Sequence, residues 1–589
     1  MPLPIEDYAL VGDTGTAALI GKDGSVDWLC LPRFDSPACF AALLGTPAHG
    51  RWLLGPAEPG ECSRRYVGDS ATLETTHTTP TGTLVVTDTM PIKDRRADLV
   101  RLVECTSGTV RVRQEWIVRL AYGKVRPWVH RDRHGHHEII VAVAGPDRLV
   151  LRGDRLPAHD DGRHVDEFDL AEGERMEFST TWSASHHPMP QALEMRPRVD
   201  STTEEFQEWA DRCSYRGDHR HAVVRSLVTL RLLTHGGTGG IVAAPTTSLP
   251  EDFGGERNWD YRYCWLRDAS MTLGAFLRCG YLEEAGLGRE GLLRAVAGDP
   301  EDMQIMYAVD GSRDLPERTL DHLPGYADSH PVRVGNAAVD QRQGDVLGEV
   351  LAALHQARVA GMQETKDSWS LQRALLVHLV ATWRQPDNGI WEIRGPRRHF
   401  THSRVLAWTA FDRGVRAVEE HEMHGDVDTW RRERDAVRAA ILEECVDHGR
   451  GTFTQHSETT EVDASLLVLP QLGFVAGDDP LMLGTLRAIE EDLLHDGLVL
   501  RYRTETGVDG LSGTEHPFLA CSFWLVSAYA HAGRTDDARA LLDRLLALRN
   551  DVGLLAEEAD PRTGQHVGNF PQALSHLTLV NAVLDLGGA

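Results

Sequence analysis

The sequence predicts a two-part fold, an antiparallel β-sandwich followed by a ring of helices. From about residue 14 to residue 185 the apolar residues come in short runs separated by turn residues, which is typical of sandwich strands. From about His221 to the end they recur every three or four residues, which is the period of helices. The chain has 589 residues, more than one compact core normally contains, so two domains or one large toroid are expected.

The first part opens with a predicted hairpin. Ala17–Ile20 and Val26–Cys30 flank the segment Gly21-Lys22-Asp23-Gly24, and Asp-Gly between two such runs is a strong hairpin signal. Further short runs predict the next strands: Thr83–Thr87, Leu99–Cys105, Val110–Val118, Glu138–Val143 and Leu149–Leu151. We therefore assign residues 1–190 to an N-terminal β-sandwich domain.

A linker is predicted between the two parts. His-His-Pro-Met-Pro at residues 186–190 and Arg-Pro-Arg at residues 196–198 interrupt both kinds of periodicity. Ser201–Cys213 then predicts a short connecting helix, with Ser201 or Thr202 as its N-cap. The linker region is assigned to residues 191–220.

Helical periodicity dominates the remainder, residues 221–589. Eight further segments predict helices: Met271–Cys279, Val346–Val359, Ser368–Trp383, Ser403–Glu419, Thr429–Cys445, Ser522–Ala532, Asp536–Leu548 and Ser575–Leu586. Long loops bearing Gly and Pro join them, and no fixed-period repeat is present in the sequence, which argues against a solenoid. This pattern favours an α/α toroid with its functional loops around one end.

Composition and charge exclude several classes of function. A net charge of −27 disfavours a nucleic-acid partner or an anionic membrane, since phosphates would be repelled. No apolar run approaches the roughly 18 residues that a membrane span needs, and the N-terminus lacks the pattern of a signal peptide. The nine cysteines are scattered without a C-x-x-C pair, which is typical of reduced thiols. We expect a cytoplasmic enzyme with a small neutral substrate.

The stretch Asn258–Ser270 has the composition of a sugar pocket. Four aromatic residues alternate there with two Arg and two Asp, just before an apolar helical run. Aromatic rings stack on the apolar faces of a pyranose, while Asp and Arg form hydrogen bonds with its hydroxyls. The alternative reading is an aromatic core segment with solvated charges.

Two loop carboxylates are candidates for catalysis. Hydrolysis of a glycosidic bond normally takes two carboxyl groups, one to protonate the leaving oxygen and one to activate water or attack. Glu392 lies in a loop between two predicted helices, and its neighbour Trp391 would desolvate it and raise its pKa. Glu515 lies in a second loop, just before the helix that begins near Leu519.

One histidine-rich segment mimics a metal site. His130–His137 contains four histidines, but it lies between strand-like runs and includes a glycine. We interpret it as a solvated hairpin loop and predict no metal.

Several blocks of the sequence resemble glycoside hydrolase family 15, the glucoamylase-like enzymes. Residues 258–270, 386–408 and 510–525 are similar to the signature blocks of that family. Blocks similar to its bacterial branch, which includes glucoamylases, trehalases and isomaltose glucohydrolases, extend over nearly the whole chain: residues 5–10, 23–37, 240–251, 310–318, 335–338 and 560–572. The resemblance implies a β-sandwich, a helical linker and an (α/α)6 barrel, and inverting exo-hydrolysis of α-glucosides without a metal or organic cofactor.

The resemblance also implies roles for particular residues. Carried over by motif, Glu392 would be the general acid and Glu515 the general base. Arg267 and Asp268 would hold hydroxyls of the non-reducing glucose. The remaining residues expected to line the substrate site are Tyr261, Trp265, Trp391, His402, Arg404 and Trp408.

Some positions depart from the pattern of the family. Thr514-Glu515-His516-Pro517-Phe518 stands where the bacterial branch reads Glu-Glu-Gly-Thr-Phe, so the loop gains a Pro and a His. Leu347 replaces a common Tyr, and Arg404 replaces a common Lys. We expect these changes to alter recognition of the leaving group rather than to abolish turnover.

The first expectation for the substrate is a short α-glucoside of the maltose or isomaltose type, from which β-D-glucose is released. The alternative is α,α-trehalose. Two other classes stay open: a phosphorylase on a related barrel, against which Glu515 argues, and a catalytically silent carbohydrate-binding protein that kept the pocket.

Overall fold

The N-terminal domain consists of antiparallel sheets joined by one long strand. The computed structural model describes residues 2–92, 96–510 and 513–587, so Leu511 and Ser512 of the third signature block lie outside the described residues. The strands are β1 Tyr8–Gly12, β2 Ala17–Gly21, β3 Ser25–Cys30, β4 Ala38–Phe40, β5 Arg51–Pro56, β6 Glu61–Tyr66, β7 Leu73–Thr79, β8 Gly82–Thr89, β9 Ala97–Ile117, β10 Trp128–His134, β11 His137–Ala144, β12 Asp147–Gly153, β13 Ala158–Asp160, β14 Arg163–Ala171 and β15 Arg175–Ala184.

Strand β9 belongs to both sheets of the sandwich. Its N-terminal half pairs with β8 and β15, while its C-terminal half pairs with β5 and β14. Gly108 lies between the two halves with φ of +66°, a conformation that L side chains rarely adopt. The sequence predicted two separate strands here, Leu99–Cys105 and Val110–Val118, and the structure joins them into one. Side chains between the sheets include the fully buried Trp52 and Trp116.

The predicted hairpin at the start of the domain is confirmed. Strands β2 and β3 pair antiparallel, and Gly24 in the turn has φ of +81°. A Cβ atom at Gly24 would stand 2.3 Å from the carbonyl oxygen of Leu54, so glycine is required there. The histidine-rich segment forms the β10–β11 hairpin with its turn at Gly135. Its first residues therefore lie in a strand rather than in the predicted loop.

The rest of the described chain is mainly helical, with five short two-stranded sheets in its loops. The helices are α1 Met195–Asp211, α2 Arg220–Leu233, α3 Leu266–Arg278, α4 Leu282–Ala295, α5 Val346–Val359, α6 Lys366–Thr382, α7 Thr401–His421, α8 Val427–Glu444, α9 Pro480–Asp492, α10 Leu519–His531, α11 Thr535–Ala547 and α12 Ala573–Gly587. Helix α1 is the predicted connecting helix, but Glu194 is its N-cap, so the prediction of Ser201 or Thr202 was wrong. The proline at position 197 is tolerated because it lies in the first turn.

Helices α2–α12 form a closed double ring. On the inside α3 packs against α5, α5 against α7, and α10 against α12, while the 3₁₀ turn Ala464–Val468 fills the place between α7 and α10. Helix α12 contacts both α2 and α3, which closes the ring. The inner helix α10 is buried on all sides, whereas the outer helix α8 buries one stripe. With α2, α4, α6, α8, α9 and α11 outside, this is the expected (α/α)6 barrel.

The N-terminal domain packs against loops of the barrel. The indole Nε1 of Trp28 donates a hydrogen bond of 2.7 Å to the carbonyl oxygen of Pro245. Arg262 lies between its barrel partner Asp260 and the N-terminal domain, where it donates to the carbonyl oxygen of Ser36 and to the Tyr122 hydroxyl, both at 2.9 Å. These contacts fix the loop that leads into α3. Within residues 2–92, 96–510 and 513–587, none of the helices combines the length and apolar character of a membrane span.

Candidate active site

A cavity opens where the loops before α3, α5, α7, α10 and α12 meet. Its wall combines aromatic rings with charged side chains: Glu251, Arg257, Trp259, Tyr261, Trp265, Arg267, Asp268, Trp391, Glu392, Arg394, Arg501, Tyr502, Phe518 and Trp524. Six of the residues predicted from the sequence are therefore brought together here. A pocket with stacking rings and convergent polar groups is suited to a sugar.

Two of the predicted sugar ligands lie in the first turn of α3. The Nε atom of Arg267 donates to Oδ1 of the buried Asp268 at 2.8 Å, and its Nη1 donates to the carbonyl oxygen of Ile390 at 3.3 Å. A carboxylate in a first helical turn is stabilised by the free N–H groups there. The pair is thus held rigidly in the cavity wall, with a donor and an acceptor side by side.

Glu392 enters the cavity from the loop before α7. Its Oε1 accepts a hydrogen bond of 2.7 Å from Nε1 of Trp265, and its backbone has φ of +57°, a left-handed conformation. Gln341 holds the same residue by donating to its carbonyl oxygen at 3.0 Å. Burial raises the pKa of Glu392, against the opposing influence of Arg267 and Trp265. A carboxyl group in this environment is suited to donate a proton.

Glu515 lies directly behind two arginines of the cavity wall. Arg501 donates to Oε1 from Nε at 3.0 Å and to Oε2 from Nη2 at 2.7 Å, while Nη1 of Arg257 reaches Oε2 at 3.3 Å. The residue is only 9% exposed. Burial raises the pKa of Glu515, and the two guanidinium groups counteract that rise. The structure thus supplies a second carboxylate next to the cavity, fixed by a bidentate pair.

Sequence reasoning missed a group of three buried glutamates around Arg501. Glu251 accepts from Nη2 of Arg501 at 2.9 Å, and Glu558 lies 3.2 Å from the same atom. The hydroxyl of Tyr261 donates to Glu557 at 2.6 Å, and burial raises the pKa of Glu557 to about 8. One oxygen from each glutamate comes within 4.8 Å of the others, a spacing that also suits a cation, but Arg501 already supplies positive charge there.

These residues carried only weak sequence signals. Glu251 ends one of the blocks similar to family 15, and the adjacent pair Glu557–Glu558 precedes another. Nothing in the spacing links them to Arg501, because the contacts join segments that are far apart along the chain.

Three predicted substrate residues, His402, Arg404 and Trp408, lie on α7 and are not among the described residues that line this cavity. His402 instead lines an adjoining cavity, which shares Ile390 and Trp524 with the first. Their contacts are with other elements: His402 with Asp345 at 3.6 Å, Arg404 with Glu444 at 2.8 Å, and Trp408 edge-on against Phe474. Helix α7 begins nine residues after Glu392, and these three side chains pack between neighbouring elements. They are therefore absent from the wall of the first cavity.

Comparison with known proteins relates the chain to carbohydrate enzymes. The family model described as glycosyl hydrolases family 15 matches residues 217–584, and a model described as trehalase-like, N-terminal matches residues 1–165. The chain is 38% identical to a trehalase of Mycobacterium tuberculosis, covering 99% of this chain and 89% of that protein. It is also 38% identical to a trehalase of Mycolicibacterium smegmatis, with 99% and 91% covered, and 32% identical to a trehalase of Thermoplasma volcanium, with 99% and 93% covered.

A solved structure resembles the whole chain. A bacterial glucoamylase complexed with acarbose superposes with a TM-score of 0.71, covering 99% of this chain and 94% of that one. At 12% identity this likeness shows the shared fold alone.

Proposed function

Since this chain belongs to glycosyl hydrolases family 15 and is a glycoside hydrolase, we propose that its substrate is α,α-trehalose, which it hydrolyses to two molecules of glucose. The observation that carries the proposal is the end-to-end similarity to proteins named trehalase, at 38% identity over both the N-terminal domain and the barrel. The first expectation, a maltose- or isomaltose-type substrate, has weaker support, since the glucoamylase structure shares only 12% identity. The alternative expectation is therefore preferred.

In this proposal one glucose unit of trehalose occupies the cavity. Arg267 and Asp268 bind its hydroxyls, because their donor and acceptor atoms are held next to each other in the wall. The rings of Tyr261 and Trp265, 5.6 Å apart and nearly perpendicular, together with Trp391, pack against its apolar faces. The second glucose is the leaving group.

Glu392 acts as the general acid on the bridging oxygen. Burial favours the protonated carboxyl that this step needs, and the indole of Trp265 fixes the orientation of the carboxyl through Oε1. Proton transfer to the bridging oxygen allows the leaving glucose to depart as a neutral alcohol.

Glu515 acts as the general base on a water molecule. A carboxylate can accept about four hydrogen bonds, and among residues 2–92, 96–510 and 513–587 the two arginines use three of these positions, which leaves one on Oε1 for the water. A base requires the ionised form, and the guanidinium groups favour that form by counteracting part of the rise in pKa that burial causes. The water attacks the face of the anomeric carbon opposite to the leaving oxygen, and the configuration inverts.

The anomers of the products test the proposal sharply. Inversion of one anomeric centre of α,α-trehalose yields one β-glucose and one α-glucose, whereas retention would yield α-glucose alone. We expect the purified enzyme to release both anomers in equal initial amounts from trehalose, as followed by NMR, with much lower kcat/KM for maltose and isomaltose. Efficient turnover of maltose and none of trehalose would contradict the substrate, and α-glucose alone would contradict the mechanism.

A further inference from the structure

Another cavity is lined by both ends of the loop that carries Glu392, at Asp387 and at residues 398–400. It measures about 490 Å³, within the roughly 300–1,000 Å³ typical of small-molecule sites. Helices α5, α6 and α7 and the segments 300–305 and 339–344 surround it. Within the part of the chain that the structure describes, it has no lining residue in common with the candidate active site.

Two side chains that line this cavity carry a buried polar atom without a partner among the described residues. Nε2 of Gln343 and Nε of Arg404 have no hydrogen-bond partner among residues 2–92, 96–510 and 513–587, although these residues are only 9% and 6% exposed. A buried donor normally has a partner, because leaving it unpaired is unfavourable. Both side chains line the cavity, so a small rotation of either one would bring its unpaired donor within reach of a bound molecule.

The cavity also offers an acceptor and apolar surfaces. The carboxyl of Asp387 lines it beside Ser403, and burial raises the pKa of Asp387 to about 7, so this group is able to accept or donate a hydrogen bond near neutral pH. Trp383 and Phe400 add ring surface to the same wall. Donors, an acceptor and rings together match the surface of a sugar.

The charges around the cavity disfavour an anionic ligand. Its wall holds four acidic residues and three arginines: Glu301, Asp302, Asp340, Asp387, Arg342, Arg398 and Arg404. Arg398 is paired with Glu458 and Arg404 with Glu444, both at 2.8 Å, so neither presents a free positive charge to an anion. The charge that remains in the wall is therefore negative, which disfavours an anionic ligand.

We propose that this cavity binds a second neutral sugar of about the size of glucose, separate from the substrate. Such a ligand would lie against the segment that positions Glu392. Asn388 exchanges hydrogen bonds with the backbone of Arg342 at 2.8 and 3.2 Å, and the neighbouring Gln341 donates to the carbonyl oxygen of Glu392. The site thus connects a bound sugar with the loop of the proposed general acid.

Counting bound glucose tests the inference. In equilibrium dialysis of the full chain with radiolabelled D-glucose, we expect one more bound molecule per chain in the wild type than in the variant His378→Trp. His378 is half-buried on α6 at the cavity wall, so an indole there would fill the space. The matched control is Val377→Trp, which adds an indole at the adjacent, 67% exposed position and should leave the count unchanged.

Equal counts in the wild type and in His378→Trp would overturn the inference. A second variant, Gln343→Leu, removes one unpartnered donor and should weaken glucose binding at one site only. Unchanged affinity at every site would likewise overturn it. Because the result is a difference in count, it does not depend on trehalose being the substrate.

Discussion

At the scale of single residues, the environment of Glu392 sets the strongest expectation. It combines burial, a left-handed backbone and a hydrogen bond from Trp265. If it is the general acid, Glu392→Gln should lower kcat at least about 100-fold, since general acid catalysis typically contributes that much. Initial rates on trehalose measure the effect. Glu505→Gln, at an exposed turn, is the matched control, and near-normal turnover of Glu392→Gln would remove that residue from the role.

The same carboxyl predicts the direction of the pH profile. A general acid works in its protonated form, so kcat should fall as the pH rises through the raised pKa of Glu392. The bond from Trp265 stabilises the ionised form, so Trp265→Phe should raise this pKa further and move the alkaline limb to higher pH. Trp391→Phe, whose indole instead donates to Asp463, should leave the limb in place. An alkaline limb that stays at the same pH in Trp265→Phe would contradict the stabilisation of ionised Glu392 by Trp265.

Part of the site could be predicted from the sequence because its residues are close together along the chain. Trp265, Arg267 and Asp268 fall in one short motif, and all line the cavity. Arg501 and Glu557 could not be found in this way, since their contacts join the loops before α10, α3 and α12. His402 follows Glu392 closely in the sequence but lines the adjoining cavity, so its predicted role in substrate binding stays a prediction.

At the scale of elements, we expect the substitution of glycine by alanine to have opposite effects at two helical positions. A Cβ on Gly348 of α5 would stand 2.2 Å from the carbonyl oxygen of Leu406 on α7, whereas a Cβ on Gly288 of α4 would meet no described atom within 4 Å. Gly348→Ala should therefore destabilise the protein by separating α5 from α7. Gly288→Ala should stabilise it by roughly 0.5–1 kcal/mol, since alanine favours the helix.

Thermal unfolding of the two glycine variants measures both effects. A stable Gly348→Ala protein would contradict the close approach of α5 and α7. Loss of stability in Gly288→Ala would contradict the open surface at α4.

Ten of the twelve helices α1–α12 followed from periodicity, whereas α4, α9 and nine of the strands β1–β15 were not predicted. The α5 segment begins and ends at the predicted residues, and each of the other predicted barrel helices appears with its ends shifted by up to five residues. Helix α4 was missed because Gly286, Gly288 and Gly291 lower its intrinsic propensity, so packing stabilises it instead. Strand β9 was divided in the prediction because Gly108 interrupts the apolar pattern at the point where the strand passes between sheets.

At the scale of the whole molecule, the junction between the domains depends on a buried ion pair. Arg262 and Asp260 are both fully buried, and Arg262 also reaches across to the N-terminal domain. Removing one partner of such a pair typically costs about 3–5 kcal/mol. We expect Arg262→Leu to lose stability of this order in a denaturant titration, and to lower kcat/KM because Tyr261 and Tyr263 adjoin it.

The control for this variant is another contact between the same domains. Arg33 pairs with Asp310 at 2.6 Å, but both side chains are 38% exposed. Exposed pairs contribute at most about 1 kcal/mol, so Asp310→Asn, which leaves the bond between Arg33 and the buried Asp35 in place, should change stability little. A larger loss in Asp310→Asn than in Arg262→Leu would show that the junction is held differently.

The strand that both sheets share has a consequence for how the N-terminal domain opens. The backbone amides of β9 are bonded to β8 and β15 in one half and to β5 and β14 in the other. Neither sheet can separate from β9 without disturbing the strand at the centre of the other. Amide hydrogens in the two sheets should therefore exchange with solvent deuterium as one cooperative unit rather than as two.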